Sequence, residues 1–360
     1  MLRAAARALR RRPEAAQVAA FLRAAALPDG SFRDRAGQGD LYYTVFGLQA
    51  LIALRGGQGA ERGGRDALRG GQGAERGGSP DPLRKDAACG GALARGGSGE
   101  PPRNSLSSEP AAIRPEPAAI RPEPAAEAAG DLIFRAEPYL RSFGVGVSLD
   151  FVHTACLARC WALVAGRGPD AETRRAVLAR IETWRSADGG YNPAPGAAAG
   201  TAYAGFLALG ACEDLDARVP DETGLARSLT GLRSADDGYA NTPAAARGST
   251  AATAAAIVTL MELGRDVDSR TTGWLLAQHG PEGGFRAMPA APIPDLLSTA
   301  TALHALARAG VSLDEIRQPC REFVEGLWAD DGGFRGHWAD DAADCEYTFY
   351  GLLALGRLAS

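Results

Sequence analysis

The chain repeats itself with a period of about 49 residues, and such a period restricts it to architectures built by stacking one supersecondary unit. A small-residue apolar segment recurs six times, each marked by a threonine: Thr44, Thr154, Thr201, Thr250, Thr299 and Thr348. The last five are 47, 49, 49 and 49 residues apart, and the first gap is 110. Typical segments read LYYTVFGLQALIAL and EYTFYGLLALGRL. They are apolar on most faces and rich in Ala and Gly, as suits buried helices packed closely on their neighbours.

Ten to fourteen residues before most of these threonines comes a glycine turn ending in an aromatic residue, such as Asp29-Gly30-Ser31-Phe32, Asp188-Gly189-Gly190-Tyr191 or Asp331-Gly332-Gly333-Phe334. The glycines supply positive φ in a tight turn and the aromatic enters the core. The second repeat departs, with Arg141-Ser142-Phe143-Gly144 in that place. Ahead of each turn the charge pattern predicts an amphipathic helix, over 13–26, 133–141, 171–185, 221–233, 269–278 and 313–328. The unit is therefore an outer amphipathic helix, a turn and an inner apolar helix. Six units give twelve helices and no evident strand. The predicted fold is all-α: an α/α toroid, a six-hairpin α-α barrel, with an open superhelix as the alternative. The segments beginning at Asp40 and Asp344 match each other best, as neighbours across a ring seam would.

The long first gap has a separate cause. Residues 54–64 read LRGGQGAERGG and recur at 68–78, and EPAAIRP recurs at 109–115 and 116–122. Such a stretch buries too little apolar surface to offset chain entropy. The sequence thus divides into a first repeat (1–54), a disordered low-complexity insertion (55–129) and the other five repeats of the same toroid (130–360).

Composition narrows function. Lys and Arg number 39 against 43 Asp and Glu, a net charge of −4, which leaves no basic footprint for nucleic acid and no polybasic membrane anchor. No apolar run approaches the ~20 residues of a membrane span. Six irregularly spaced cysteines in 360 residues point to reduced thiols and a cytoplasmic location. The Ala- and Arg-rich stretch 1–12 reads as a basic start to the first helix.

The glycine turns followed by inner helices resemble the prenyltransferase and squalene-oxidase repeat superfamily, most nearly the β-subunit of geranylgeranyl transferase type II. The likeness spans all six repeats. It implies a central apolar funnel for an isoprenoid and zinc-assisted thioether formation between a prenyl diphosphate and a protein cysteine. Residue by residue, that family's Asp-x-Cys falls on Asp295-Leu296-Leu297, and its Asp-x-x-His-Thr on Asp344-Cys345-Glu346-Tyr347-Thr348. Asp295 alone retains a zinc ligand, because Leu297 and Tyr347 replace the cysteine and histidine. The stretch that carries the family's diphosphate-binding cations keeps only Arg286.

Other residues offer chemistry on their own terms. Asp150, His153, Cys156 and Cys160 lie on one helix, the last three on one face, and form an alternative metal set. Asp340, Asp341 and Asp344 spell DDxxD, a magnesium-diphosphate pattern. Yet Asp40, Asp150, Asp295 and Asp344 all precede a repeat threonine by four residues, so helix capping explains the four together. No DxDD acid motif occurs, and His279, His304 and His337 are isolated. Catalytic candidates reduce to Asp344, Tyr347 and Asp295. Tyr43, Phe46, His153, Tyr203, Ser298, Tyr347 and Tyr350 are expected to line a funnel about as deep as a C15–C20 chain. Two readings follow: a protein that binds or transfers an isoprenoid, or a non-catalytic toroid holding a lipid within or a protein partner at its rim.

Overall fold

The computed structural model describes residues 1–9, 14–56, 124–164, 168–243 and 245–359. The expected disorder of 55–129 therefore lies largely outside the described residues. Its far end does not, because a helix already begins at Pro124.

Thirteen helices are found among the described residues. After α1 (Leu2–Leu9) and α2 (Ala15–Ala25), a hairpin of β1 (Phe32–Arg33) and β2 (Gly39–Asp40) leads into α3 (Leu41–Leu54). Then come α4 (Pro124–Ser142), α5 (Phe151–Leu163), α6 (Ala171–Glu182), α7 (Ala202–Asp214), α8 (Glu222–Thr230), α9 (Thr250–Glu262) and α10 (Ser269–Leu276). The chain continues through α11 (Leu296–Arg308), α12 (Arg317–Glu325), a hairpin of β3 (Phe334–Arg335) and β4 (Ala343–Asp344), and α13 (Cys345–Leu358). The two short hairpins are strands that the helical periodicity could not reveal. None of these helices is long and apolar enough to cross a membrane.

The odd-numbered helices from α3 to α13 form the inner ring. Each packs on the next, and α13 packs on α3, so the ring closes and the open superhelix is excluded. Burial follows composition. Eleven residues of α3, Leu41 and Thr44 through Ala53, are buried, whereas α6 in the outer layer buries only Val177 and Ile181.

One hydrogen-bond device fixes the inner helices. The Asp40 side chain caps α3 by accepting from the Tyr43 N–H, and Asp150, Asp295 and Asp344 cap α5, α11 and α13 likewise. Four residues on, the buried Thr44 hydroxyl accepts from the Phe32 N–H (2.9 Å) and donates to the Asp40 carbonyl (2.6 Å). Thr299 does the same with Phe285 and Asp295, and Thr348 with Phe334 and Asp344. In the middle repeats the sequence register is off by several residues. Thr201 is the cap of α7 itself, Ser249 caps α9, and it is Thr253, not Thr250, that accepts from the turn residue Tyr239. Gly205 occupies the corresponding place in α7.

Glycine is required in the turns because they press on the outer helix of the following repeat. A Cβ on Gly283 (φ +90°) would sit 2.3 Å from the Pro319 carbonyl oxygen of α12. At Gly332 (φ +94°) it would sit 2.4 Å from that of Gln17 on α2, which carries the same contact across the seam.

Two helix expectations need correction. Residues 2–9 are not the start of the first outer helix but a separate helix. The predicted short helix at 133–141 is the end of the 19-residue α4. Helix α1 packs on α13 and α3 at the C-terminal end of the inner ring. The fit is close: the Arg7 Nε donates to the Gly356 carbonyl (3.2 Å), and a Cβ on Gly356 would lie 1.6 Å from the Ala4 carbonyl oxygen.

Candidate functional site

A slot of about 80 Å³ runs along the barrel axis between α3, α5, α7 and α13. Its upper walls are Tyr42, Phe46, Tyr203, Phe206 and Tyr350, and Leu207 and Ala155 continue downward. The aromatic rings meet edge to face or tilted, Tyr42 on Phe46 at 5.0 Å and Phe46 on Tyr350 at 5.4 Å. The floor is polar, with Gln49 and an ion pair of Arg159 and Asp214, and Met1 of the N-terminal segment closes it. Tyr203 and Asp214 stand eleven residues apart on α7, about 16 Å at the ordinary helical rise. The slot is long and narrow, about 80 Å³ in volume.

The mouth lies at the N-terminal ends of the inner helices. Tyr42 donates to Glu346 Oε1 at 2.6 Å. Burial raises the Glu346 carboxyl to about 6, with Tyr42 and Arg35 opposing the shift. Arg35 donates to Asp344 (2.8 Å) and, through both terminal nitrogens, to Asp340 (3.1 and 2.7 Å). Two aspartates of the DDxxD spelling are thus arginine acceptors that tie the first repeat to the last. His153 stands between Asp150 (2.9 Å) and Asp40 (3.4 Å).

The predicted residues separate accordingly. Phe46, Tyr203 and Tyr350 line the slot. Tyr43, His153, Ser298 and Tyr347 are not in its wall. The Ser298 hydroxyl is buried and donates to Asp295 (2.8 Å), and Tyr347 lies under the Arg35 guanidinium, 5.5 Å from its ring centre. Of the alternative metal set, His153 turns to the two aspartates, while Cys156 and Cys160 are buried. Burial pushes both thiols up, Cys156 to about 12, far from the thiolate a metal needs. Among the described residues no three His, Cys, Asp or Glu converge closely enough to hold an ion. His304 is not isolated: its Nδ1 accepts from Arg357 (2.8 Å), and burial drives its pKa well down.

The zinc implied by the family resemblance does not fit these residues. Both oxygens of Asp295 are taken by Ser298, through its N–H (2.7 Å) and its hydroxyl. Leu297 has no donor atom, and Tyr347 is covered by a cation. Sequence reasoning missed Arg35, Glu346, and the Arg159–Asp214 pair. Glu346 was within sight, three residues into the matched seam segments, but Arg35 meets its partners across 305 and 309 residues of chain.

Comparison with known proteins bears on the fold. A search of the curated proteins finds no match. Among solved structures, a variant of the type II terpene cyclase MstE from Scytonema, in complex with merosterolic acid A, superposes with a TM-score of 0.55 at 12% identity, over 96% of this chain and 97% of that one. The same cyclase without ligand gives 0.53 at 12% identity, over 96% of each chain. The Candida albicans protein geranylgeranyltransferase-I complexed with GGPP gives 0.45 at 14% identity, over 58% of this chain and 66% of that one. The family model described as the prenyltransferase alpha-alpha toroid domain matches residues 152–271 and 251–359. With more than half its length matched and its inner ring closed, the chain belongs to the prenyltransferase alpha-alpha toroid domain family.

Proposed function

We propose that this toroid binds an isoprenoid chain in its axial slot and does so without zinc-dependent thioether chemistry. The supporting observation is the slot itself, a deep channel walled by aromatic and aliphatic side chains with a hydrogen-bonding group, Tyr42 with Glu346, at its mouth. The tail would lie along Phe46, Ala155, Phe206 and Leu207, and the head would stay near Tyr42 and Tyr203. At about 80 Å³ the slot is below the roughly 300–1,000 Å³ usual for small-molecule sites, so entry requires side chains to give way. Tyr203, 39% exposed at the mouth, and the unbranched Met1 at the floor are the ones placed to move. The five described cysteines are free, which suits a reducing compartment such as the cytoplasm.

Displacement of a fluorescent prenyl probe tests this reading. Wild type should bind it with saturation, and Leu207→Trp, which fills the slot, should abolish binding while the thermal transition is retained. Saturable binding unchanged in Leu207→Trp would place the probe elsewhere. Formation of a prenyl thioether on any cysteine peptide, dependent on zinc, would overturn the non-catalytic part.

A protein partner at the rim is the second reading. Met288 (49% exposed) and Trp338 (51%) are large apolar side chains on the mouth-side loops of the fifth and sixth repeats, which are joined where the Leu296 N–H donates to the Gly336 carbonyl. If they serve a partner, Met288→Lys with Trp338→Lys should leave prenyl binding intact and abolish recovery of a specific, identified partner.

A further inference from the structure

We infer that the isoprenoid taken by this slot carries a neutral or cationic hydrogen-bond-donating head, an alcohol, phenol or amine, and not a diphosphate. The inference rests on the proposed slot binding and concerns what stands at its mouth.

An anion is ordinarily welcome where helix N-termini converge, because unpaired N–H groups and the helix dipole favour it. Here those positions are already filled by the chain. Asp40, Asp150, Asp295 and Asp344 each place a carboxylate on the first turn of an inner helix. Thr201 and Ser249 close the other two with hydroxyls. A diphosphate arriving at the slot would meet fixed negative charge where its relatives in charge would need donors.

Two cations at this end are already engaged. Arg35 serves Asp340 and Asp344, and His153 lies between Asp40 and Asp150. Magnesium would not rescue the diphosphate through the DDxxD spelling, because Arg35 already occupies two of its three carboxylates.

What the mouth does offer is an acceptor. Glu346 takes the Tyr42 hydroxyl on Oε1, and among the described residues Oε2 takes no hydrogen bond. Tyr203, whose hydroxyl adjoins that of Tyr42, stands opposite. Both tyrosines line the slot, and Glu346, itself outside the wall, is bonded to Tyr42, so a donor at the head of a chain lying in the slot would meet the carboxylate beside the Tyr42 hydroxyl. A half-buried carboxylate favours a hydroxyl or ammonium and disfavours a second anion by the same electrostatics.

Competition against the fluorescent prenyl probe by geranylgeraniol, geranylgeranylamine and geranylgeranyl diphosphate, the last with and without magnesium, decides the matter on the full chain. The alcohol and the amine should compete at concentrations at least about tenfold lower than the diphosphate. In Glu346→Gln the amine should weaken by roughly fivefold or more relative to the alcohol, with the thermal transition retained. Diphosphate binding as tight as the alcohol overturns the inference while leaving slot binding in place. An amine unaffected by Glu346→Gln overturns the role of Glu346 and with it the inference. Failure of all three ligands and of the probe overturns the slot reading itself. The wild-type competition needs no variant, so it decides even if Glu346→Gln fails to fold.

Discussion

His153 on α5 reaches to Asp40, the cap of α3, its Nε2 3.4 Å from the carboxylate, while its Nδ1 lies 2.9 Å from Asp150, the cap of its own helix. The imidazole thereby joins the first repeat to the second at the mouth. Burial lowers its pKa, the two aspartates raise it, and the net shift is upward from 6.5. With the folded value above the unfolded one, the clip contributes fully below the unfolded pKa and is lost as pH rises through the folded pKa. His153→Gln should therefore lower the urea midpoint at about pH 6 and approach wild type by about pH 8.5. A deficit that is constant or grows with pH would contradict the assignment.

Arg35 closes the seam between first and last repeats. Removing it leaves Asp344, whose side chain is 5% exposed, without its cation. Because Arg35 itself is 41% exposed, we expect Arg35→Met to cost about 1–3 kcal/mol, below the value for a fully buried pair. Arg35→Lys should recover less than half, since a lysine lacks the fork that serves two carboxylates. Denaturant unfolding of the three proteins measures this directly.

The threonine that accepts from each glycine turn makes a separate prediction. Thr348→Val keeps the volume but leaves the buried Phe334 N–H without its acceptor, at a cost of about 1–3 kcal/mol. Thr301, whose hydroxyl bonds only carbonyls of its own helix, is the control, and Thr301→Val should stay within about 0.5 kcal/mol. Equal losses at the two positions would mean that the turn contact is unimportant.

Gly356→Ala tests the docking of α1. The new methyl group collides with the Ala4 backbone, so α1 should lift, and amides 2–9 should exchange at least about tenfold faster. The slot would lose its Met1 floor and admit the prenyl probe more readily. Gly273 on α10 has nothing within 4 Å of its Cβ position, so Gly273→Ala should stabilise by about 0.5–1 kcal/mol.

The repeat, the inner and outer layers and the four aspartate caps were legible because each is set by local chemistry: periodicity, small residues and a side chain four positions before a threonine. The register slipped in the middle repeats because Thr201 and Thr250 keep the spacing while Thr201, Ser249 and Thr253 do the bonding. Pro13 marks a break after α1, but the Ala-rich face of 2–9 looks the same whether it precedes an outer helix or covers the end of a barrel. The mouth was half legible. Tyr203 and Tyr350 stood out as aromatics, but the pairings Tyr42–Glu346, Arg35–Asp340 and His153–Asp40 depend on which repeats meet, and only closure of the ring decides that.

Ring closure also has a temporal consequence. The Tyr42–Glu346 bond joins residues 304 apart and the Arg7–Gly356 bond joins residues 349 apart, so they form only when the final helix is present. During vectorial synthesis the oily flanks of α1 and α3 wait unpaired while the five later modules emerge. Long-range pairing of this kind slows folding and leaves apolar surface exposed until α13 is in place.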